Sequence, residues 1–201
     1  MKNFPRICVI PFLLLLSIGI GSFLPKTEPL DVRYLSKAVS ISIKGTSSLH
    51  DWEMKSSEGT CEAEFAIGKS TTITSLKRLS FIIPSKSLKS GHKVMDKNTY
   101  KALKTNEHAN IGFVLSNSKV KKIDESTYEV QCFGKLTIAG TTLETELLAN
   151  GKLNATDHSI TFSGTKKMKM TDYNVKPPTV MMGTIKTGDE ISVTYNLILT
   201  Y

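Results

Sequence analysis

The stretch TYEVQCFGKLTIAGTTLETELLA, residues 127–149, alternates apolar and polar side chains on both sides of a short turn. The apolar phase contains Tyr128, Val130, Cys132, Leu136 and Ile138 in its first half, and Leu143, Leu147 and Ala149 in its second half. Successive side chains of a strand point to opposite faces, so this period of two predicts two strands that each bury one face. Ala139-Gly140 between them is typical of a hairpin turn. The stretch therefore predicts an antiparallel β-hairpin.

The same alternation recurs along the chain and predicts about eight strands in all. Besides 128–138 and 143–149, the segments are 39–45, 60–67, 76–83, 109–115, 160–162 and 191–199. Strands with one apolar and one polar face predict an all-β domain, either a sandwich or a closed antiparallel barrel. At about this strand number, a barrel interior is filled by side chains or holds one small ligand.

Two segments depart from the strand pattern. Residues 96–104 predict a short helix that covers one end of the domain, with Asp96 as its N-cap and with Tyr100 and Leu103 facing inward. Residues 166–188 predict an irregular segment, since Pro177-Pro178 excludes both helix and central strand there. Its methionines, Met168, Met170, Met181 and Met182, suit either the filling of gaps in the core or contact with an apolar ligand.

The N-terminal residues predict export from the cytoplasm. Lys2 and Arg6 precede an apolar run, residues 7–20, that has the length of a signal peptide's hydrophobic region. We expect a signal peptide over 1–21, an N-terminal extension over 22–36 and one domain over 37–201; an uncleaved anchor is the alternative for the first segment. Because Cys8 lies at the start of the apolar run rather than just after it, we expect no lipid anchor. The protein is predicted to be periplasmic or secreted.

The formal net charge of +8 comes almost entirely from dispersed lysines. Arginines and aromatic residues are not interleaved, and this argues against nucleic acid as a partner. A basic surface allows peripheral contact with an anionic membrane, although a solvated lysine face is the more common explanation. The sequence leaves the oligomeric state open, including a dimer.

Motifs for catalysis and for metal binding are missing from the sequence. It has no G-x-S-x-G, no phosphate-binding glycine loop and no H-E-x-x-H, and its four histidines have no ligand spacing. His50 and Asp51 are adjacent, which would place their side chains on opposite faces of a strand. We therefore predict no catalytic residues, no metal site, no cofactor and no enzymatic activity. Trp52, the only tryptophan, is predicted to pack at one end of the domain.

Cys61 and Cys132 both fall on the apolar phase of their strands and are expected to face the interior. Buried cysteines usually behave as small hydrophobic residues. A disulfide between them would require neighbouring or facing strands, which the sequence alone cannot place.

Four ordered pieces of the sequence resemble the YceI-like family of exported bacterial lipid-binding and polyisoprenoid-binding proteins. They are GTSSLHDW (45–52), SLKSGHKVMDKNTYKALKTNEHANIGFVL (87–115), GKLTIAGTTLETEL (134–147) and MKMTDYNVKPPTVMMGTIKTGDEISVTYNL (168–197). Ala109 departs from the proline that the family often has before its Ile-x-Phe strand. The resemblance implies an eight-stranded, lipocalin-like antiparallel barrel whose lumen holds a polyisoprenoid, a quinone or another amphiphile.

The predicted function is the non-enzymatic binding, storage or transport of such a lipid in the cell envelope. The alternative is a structural or interaction barrel that binds no ligand because its own side chains fill it. The predicted lumen residues are Ile41, Ile43, Trp52, Phe65, Ile67, Phe81, Ile83, Ile111, Phe113, Leu115, Leu136, Leu147, Phe162, Val193, Tyr195 and Leu197. Alternation alone does not separate residues that touch a ligand from residues that only pack.

Overall fold

The structure is a computed structural model that describes residues 28–180 and 183–201. The predicted signal peptide, the first residues of the predicted extension, and Met181 and Met182 lie outside this range. The strands are β1 (Leu30–Ser47), β2 (Trp52–Ser56), β3 (Thr60–Ile67), β4 (Ile73–Pro84), β5 (Asn110–Lys122), β6 (Thr127–Ile138), β7 (Thr141–Leu153), β8 (Ile160–Lys169), β9 (Thr179–Val180) and β10 (Ile185–Thr200). One helix, α1 (Lys93–Ala102), follows β4.

Eight of the strands close into an antiparallel barrel, which confirms the predicted fold class. Strand β1 pairs with β3, each of β3 to β7 pairs with the next strand in the chain, β8 pairs with β10, and β10 returns to pair with β1. The closing pair is long, since its register runs from Leu35 opposite Thr200 to Ser47 opposite Thr187. The short strand β2 continues the line of β3 along the same edge of β1. Closure pairs every wall strand on both sides, although β7 and β8 pair over only part of their length.

Strand β1 begins earlier than the sequence predicts. Leu30 to Leu35 pair with β3, so residues 30–36 of the predicted N-terminal extension are part of the barrel wall. Tyr34 is buried, and its ring meets Phe65 edge-on with the centroids 5.4 Å apart. The start of the domain at residue 37 was therefore wrong, although residues 30–34 alternate strictly between apolar and charged side chains, which is itself typical of a strand.

Aromatic side chains fill the end of the barrel that lies away from α1. The side chain of Phe65 is fully buried and stacks on Phe162, with 5.7 Å between the ring centroids. Tyr128 is also fully buried there, and its hydroxyl accepts a hydrogen bond from the Ile73 amide. Burial of this much aromatic surface gives the barrel a packed floor.

The predicted helix is present, but it starts three residues earlier than expected. His92 occupies the N-cap position and Lys93 is the first helical residue, so the assignment of Asp96 as N-cap was wrong. The Asp96 carboxylate instead accepts hydrogen bonds from the amide and the hydroxyl of Ser90, at 2.7 and 2.6 Å. It thereby fixes the loop that enters the helix. Leu103 is buried below the helix, as the sequence predicted.

The barrel wall has a seam between β7 and β8. These strands pair only over Asn150–Leu153 and Ile160–Ser163, although β8 continues to Lys169. Residues 170–175 close the seam: the hydroxyl of Tyr173 lies 3.0 Å from that of Thr145, and the Asn174 amide donates to the Thr141 hydroxyl. The segment predicted to be irregular is therefore built from the end of β8, one 3₁₀ turn (Thr171–Tyr173), β9 and the start of β10.

Candidate functional site

An apolar cavity of about 510 Å³ occupies the barrel between the aromatic floor and α1. Its volume lies within the usual range of pockets that bind small molecules. Deep in the barrel it is lined by Val130, Ala149, Phe162 and Leu197, and it opens where α1, the loop before β2 and the segment after β8 meet. A barrel of this size can thus hold a ligand along its axis.

Most of the predicted lumen residues line this cavity. They are Ile41, Ile43, Trp52, Phe81, Ile83, Ile111, Phe113, Leu136, Leu147, Phe162, Val193, Tyr195 and Leu197. Phe65, Ile67 and Leu115 do not border it. Phe65 belongs to the packed floor, and Ile67 and Leu115 are half-buried against the core.

Strand alternation does not separate these three residues from the cavity lining, because all of them pack in or against the buried core. The pairing of β3 with β4 shifts between Glu64 and Phe65 and again between Ala66 and Ile67. The pairing of β5 with β6 shifts after Leu115. Phe65 nevertheless keeps the buried phase of Cys61 and Ala63, and Leu115 lies before the shift in β5, so alternation gave the side of the strand correctly but not the border of the cavity.

The mouth of the cavity contains residues that strand alternation could not identify. The helix contributes Val94, Met95, Asn98, Thr99 and Ala102, and the segment after β8 contributes Met170, Tyr173, Val175 and Pro178. The inward side of the predicted helix and the methionines of 166–188 were the only signals in the sequence. Met168 and Met170 line the cavity, which agrees with ligand contact but also with gap filling.

Polar side chains are few inside the cavity, and most of them lie near its mouth. Ser47, His50, His92 and Asn98 border the opening, where a polar head group could remain in contact with water. Deeper in the wall, the hydroxyl of Tyr195 donates a hydrogen bond of 2.8 Å to the carbonyl oxygen of Leu148. The interior is therefore suited to an apolar chain and the opening to its polar end.

Tyr195 lies flat against the wall because the residue opposite it is a glycine. Gly164 pairs with Tyr195, and a β-carbon at Gly164 would stand 2.3 Å from the tyrosine hydroxyl oxygen. Burial, together with the nearby Cys132, raises the pKa of Tyr195 to about 12. The hydroxyl therefore stays protonated and keeps its donor role throughout the physiological range.

Cys61 and Cys132 are buried free thiols, so the disulfide considered from the sequence is not formed. Their strands, β3 and β6, are not neighbours in the barrel, and only Cys132 lines the cavity. Burial raises the pKa of Cys61 to about 12, with a smaller contribution from Cys132, and raises the pKa of Cys132 to about 11. Both behave as small apolar residues of the wall.

We expect both thiols to resist alkylation in the folded protein. The thiolate is the reactive form, and a raised pKa keeps these thiols protonated until the pH approaches about 11. Peptide mapping after iodoacetamide treatment at neutral pH should find Cys61 and Cys132 unmodified in the native protein and alkylated after denaturation without reductant. Recovery of a disulfide-linked pair of peptides would contradict the structure.

Trp52 lies at the mouth of the cavity, where its indole nitrogen donates to the Thr46 carbonyl oxygen at 2.9 Å. Its ring covers Gly45, the residue opposite it on β1, at which a β-carbon would stand 2.3 Å from the ring. This placement confirms the predicted packing of Trp52 at one end of the barrel.

His50 and Asp51 do not form a catalytic pair in this geometry. Nδ1 of His50 lies 2.7 Å from the main-chain carbonyl oxygen of Asp51, not from its carboxylate. The loop is held by Ser47, whose hydroxyl donates to the His50 carbonyl and accepts from the His50 amide. Residues 47–51 therefore form a hydrogen-bonded loop at the cavity mouth, directly before Trp52 and β2.

The described residues contain neither a group of side chains suited to a metal ion nor a membrane-spanning helix. Within residues 28–180 and 183–201, no three His, Cys, Asp or Glu side chains are grouped as a metal site requires. Across the same residues, the one α-helix is too short and too polar to span a lipid bilayer.

Comparison with known families shows to which family this barrel belongs. The family model described as the YceI-like domain matches residues 29–199, which is almost the whole of the described chain. The chain belongs to the YceI-like family. The match starts one residue before β1, and this agrees with the early start of the barrel. No curated protein matches the chain.

Several solved structures share the fold of this chain. The structure of BcnA from Burkholderia cenocepacia has a TM-score of 0.63 at 18% identity and covers 80% of this chain and 95% of its own. A polyisoprenoid binding domain from Saccharophagus degradans has a TM-score of 0.60 at 12% identity, covering 83% and 97%. A YceI protein from Campylobacter jejuni gives 0.52 at 21% identity, covering 69% and 79%. At identities of 12–21%, these similarities show a shared fold and nothing about the ligand.

Proposed function

We propose that this YceI-like protein binds one polyisoprenoid or similar amphiphilic lipid and stores or carries it in the cell envelope, without catalysing a reaction. The observation that carries the proposal is the apolar cavity of about 510 Å³, whose polar groups gather at its mouth. The description of the Saccharophagus degradans relative as a polyisoprenoid binding domain supports an isoprenoid as the ligand class. Export by residues 1–21 would deliver the protein to the envelope.

Apolar burial supplies the driving force for such binding. An isoprenoid chain of about forty carbons offers several hundred Å² of surface, so its burial contributes on the order of 10 kcal/mol before the costs of ordering are subtracted. Contact with Leu136, Leu147 and Val193 would require no directed hydrogen bond. A site of this kind binds by shape and length, so related lipids would compete for it.

The alternative, a barrel that its own side chains fill, is disfavoured by the same cavity. In a filled barrel, large residues from facing strands meet across the axis, as Phe65 and Phe162 do at the floor of this one. Above that floor, the small side chain of Ala149 lines the open space. Enlarging Ala149 would therefore fill the cavity and test whether a ligand binds there.

Ala149→Phe should weaken lipid binding at least about tenfold, because its ring would enter the space that the ligand chain needs. Leu148→Phe is the matched control, since Leu148 directly precedes Ala149 on β7, is exposed and does not line the cavity. Both affinities can be measured by titration with a prenylated quinone, with binding detected as quenching of Trp52 fluorescence. Equal affinities for the two variants would contradict binding in the cavity.

A further inference from the structure

The lysines of this protein are dispersed along the chain, but most of their excess over carboxylates is concentrated in one short segment. Residues 86–104 contain six lysines and only one carboxylate, that of Asp96, so they hold five of the eight net positive charges of the chain. Lys2, Arg6 and Lys26 account for the other three, and the remainder of the chain is neutral overall. The segment consists of α1 and its flanking loops, which border the mouth of the cavity.

Helix α1 divides into two faces. Met95, Asn98 and Ala102 face the cavity, while Lys93, Lys97 and Lys101 are exposed on the outer surface. None of these three lysines forms an ion pair with any described residue. Spacing of four residues aligns them along one side of the helix. The outer face of α1 is thus an unpaired row of positive charge.

Two exposed apolar side chains stand beside this row. Val94, in the first turn of α1, is 72% exposed, and Leu49, in the loop before β2, is 66% exposed. Both border the cavity mouth. Large apolar side chains that project into water next to unpaired lysines are the combination found on protein surfaces that bind membranes.

We propose that the cavity mouth docks on an anionic phospholipid bilayer, with Leu49 and Val94 entering the interface and the α1 lysines contacting lipid phosphates. A second copy of the chain fits this face poorly, because symmetric contact would bring the two lysine rows together. Docking in this orientation would present the cavity to the membrane. The proposal goes beyond lipid binding in the cavity, and vesicles without isoprenoid test it independently.

The test is cosedimentation with vesicles of phosphatidylcholine and phosphatidylglycerol, at about two to one, compared with pure phosphatidylcholine. Each lysine near an anionic surface contributes about fivefold to the partition constant. Lys93→Gln/Lys97→Gln/Lys101→Gln should therefore lower binding to the anionic vesicles about a hundredfold. Leu49→Ser/Val94→Ser should also weaken binding, and both substitutions are at exposed positions. Salt should weaken binding of the unsubstituted protein.

Lys121→Gln/Lys122→Gln/Lys152→Gln is the matched control, since it removes three exposed lysines at the far end of the barrel. It should retain most of the binding, and Trp52 should be quenched by doxyl-labelled lipid in the same vesicles. The proposal is overturned if the two triple variants bind equally, or if the anionic vesicles bind no better than neutral ones. It is also overturned if Val94→Ser instead abolishes a dimer seen in solution, which would assign the face to a second copy.

Discussion

Phe65→Ala should lower the free energy of unfolding by about 3–5 kcal/mol. The Phe65 ring is fully buried, meets Tyr34 edge-on and stacks on Phe162, so its removal leaves a void in the barrel floor that rigid strands cannot fill. Chemical denaturation followed by Trp52 fluorescence measures the effect. Trp52 lies at the opposite end of the barrel, so its signal reports loss of the whole fold.

Phe133→Ala is the control for this prediction. Phe133 is half-buried beneath the side chain of Lys119, whose ammonium lies 5.7 Å from the ring centroid, and it does not pack against the core cluster. Its removal should cost about 1 kcal/mol or less. Similar costs for Phe65→Ala and Phe133→Ala would show that the floor is not packed as described.

Gly164→Ala should destabilise the protein by about 2–4 kcal/mol and open the seam between β7 and β8. The added β-carbon would stand 2.3 Å from the hydroxyl oxygen of Tyr195 and 2.4 Å from the carbonyl oxygen of Leu148. The main-chain carbonyl cannot swing aside, so Tyr195 would lose its hydrogen bond to Leu148. Thermal unfolding of the variant measures the loss.

Gly112→Ala provides the comparison within another strand of the same barrel. A β-carbon at Gly112 would have its nearest neighbour, the Phe81 carbonyl oxygen, at 3.5 Å, which is ordinary contact. This substitution should be neutral or stabilising by about 0.5–1 kcal/mol, because alanine loses less conformational entropy than glycine on folding. In a Tyr195→Phe background, the cost of Gly164→Ala should fall, since part of the clash involves the hydroxyl. If Gly164→Ala costs as much stability in the Tyr195→Phe background as in the unsubstituted protein, the clash does not involve the Tyr195 hydroxyl.

The eight-stranded barrel could be predicted from alternation because each strand buries one face. The hairpin of β6 and β7 was predicted almost residue by residue, and the structure pairs Thr127–Ile138 with Thr141–Lys152 in regular register. The long pairing of β1 with β10, which closes the barrel, leaves no local trace in the sequence. Closure was therefore an inference from the number of strands and from the family resemblance.

Alternation predicted the inward face of each strand but not which inward residues border the cavity. Phe65, Ile67 and Leu115 pack in or against the buried core without bordering the cavity, because the open space depends on how side chains from all the strands fill the barrel together. Contacts between segments distant in the chain were also out of reach. Tyr173 and Asn174, which close the wall against β7, carry no periodic signal of their own.

Native mass spectrometry of the protein purified from the cells that naturally produce it, with solvent extraction of bound molecules, tests the central claim most directly. We expect one prenyl lipid or comparable amphiphile per chain, and its loss from Ala149→Phe but not from Leu148→Phe. Protein that is recovered empty, and that stays empty when polyprenyl lipids are supplied, would contradict the account of the cavity as a lipid-binding site.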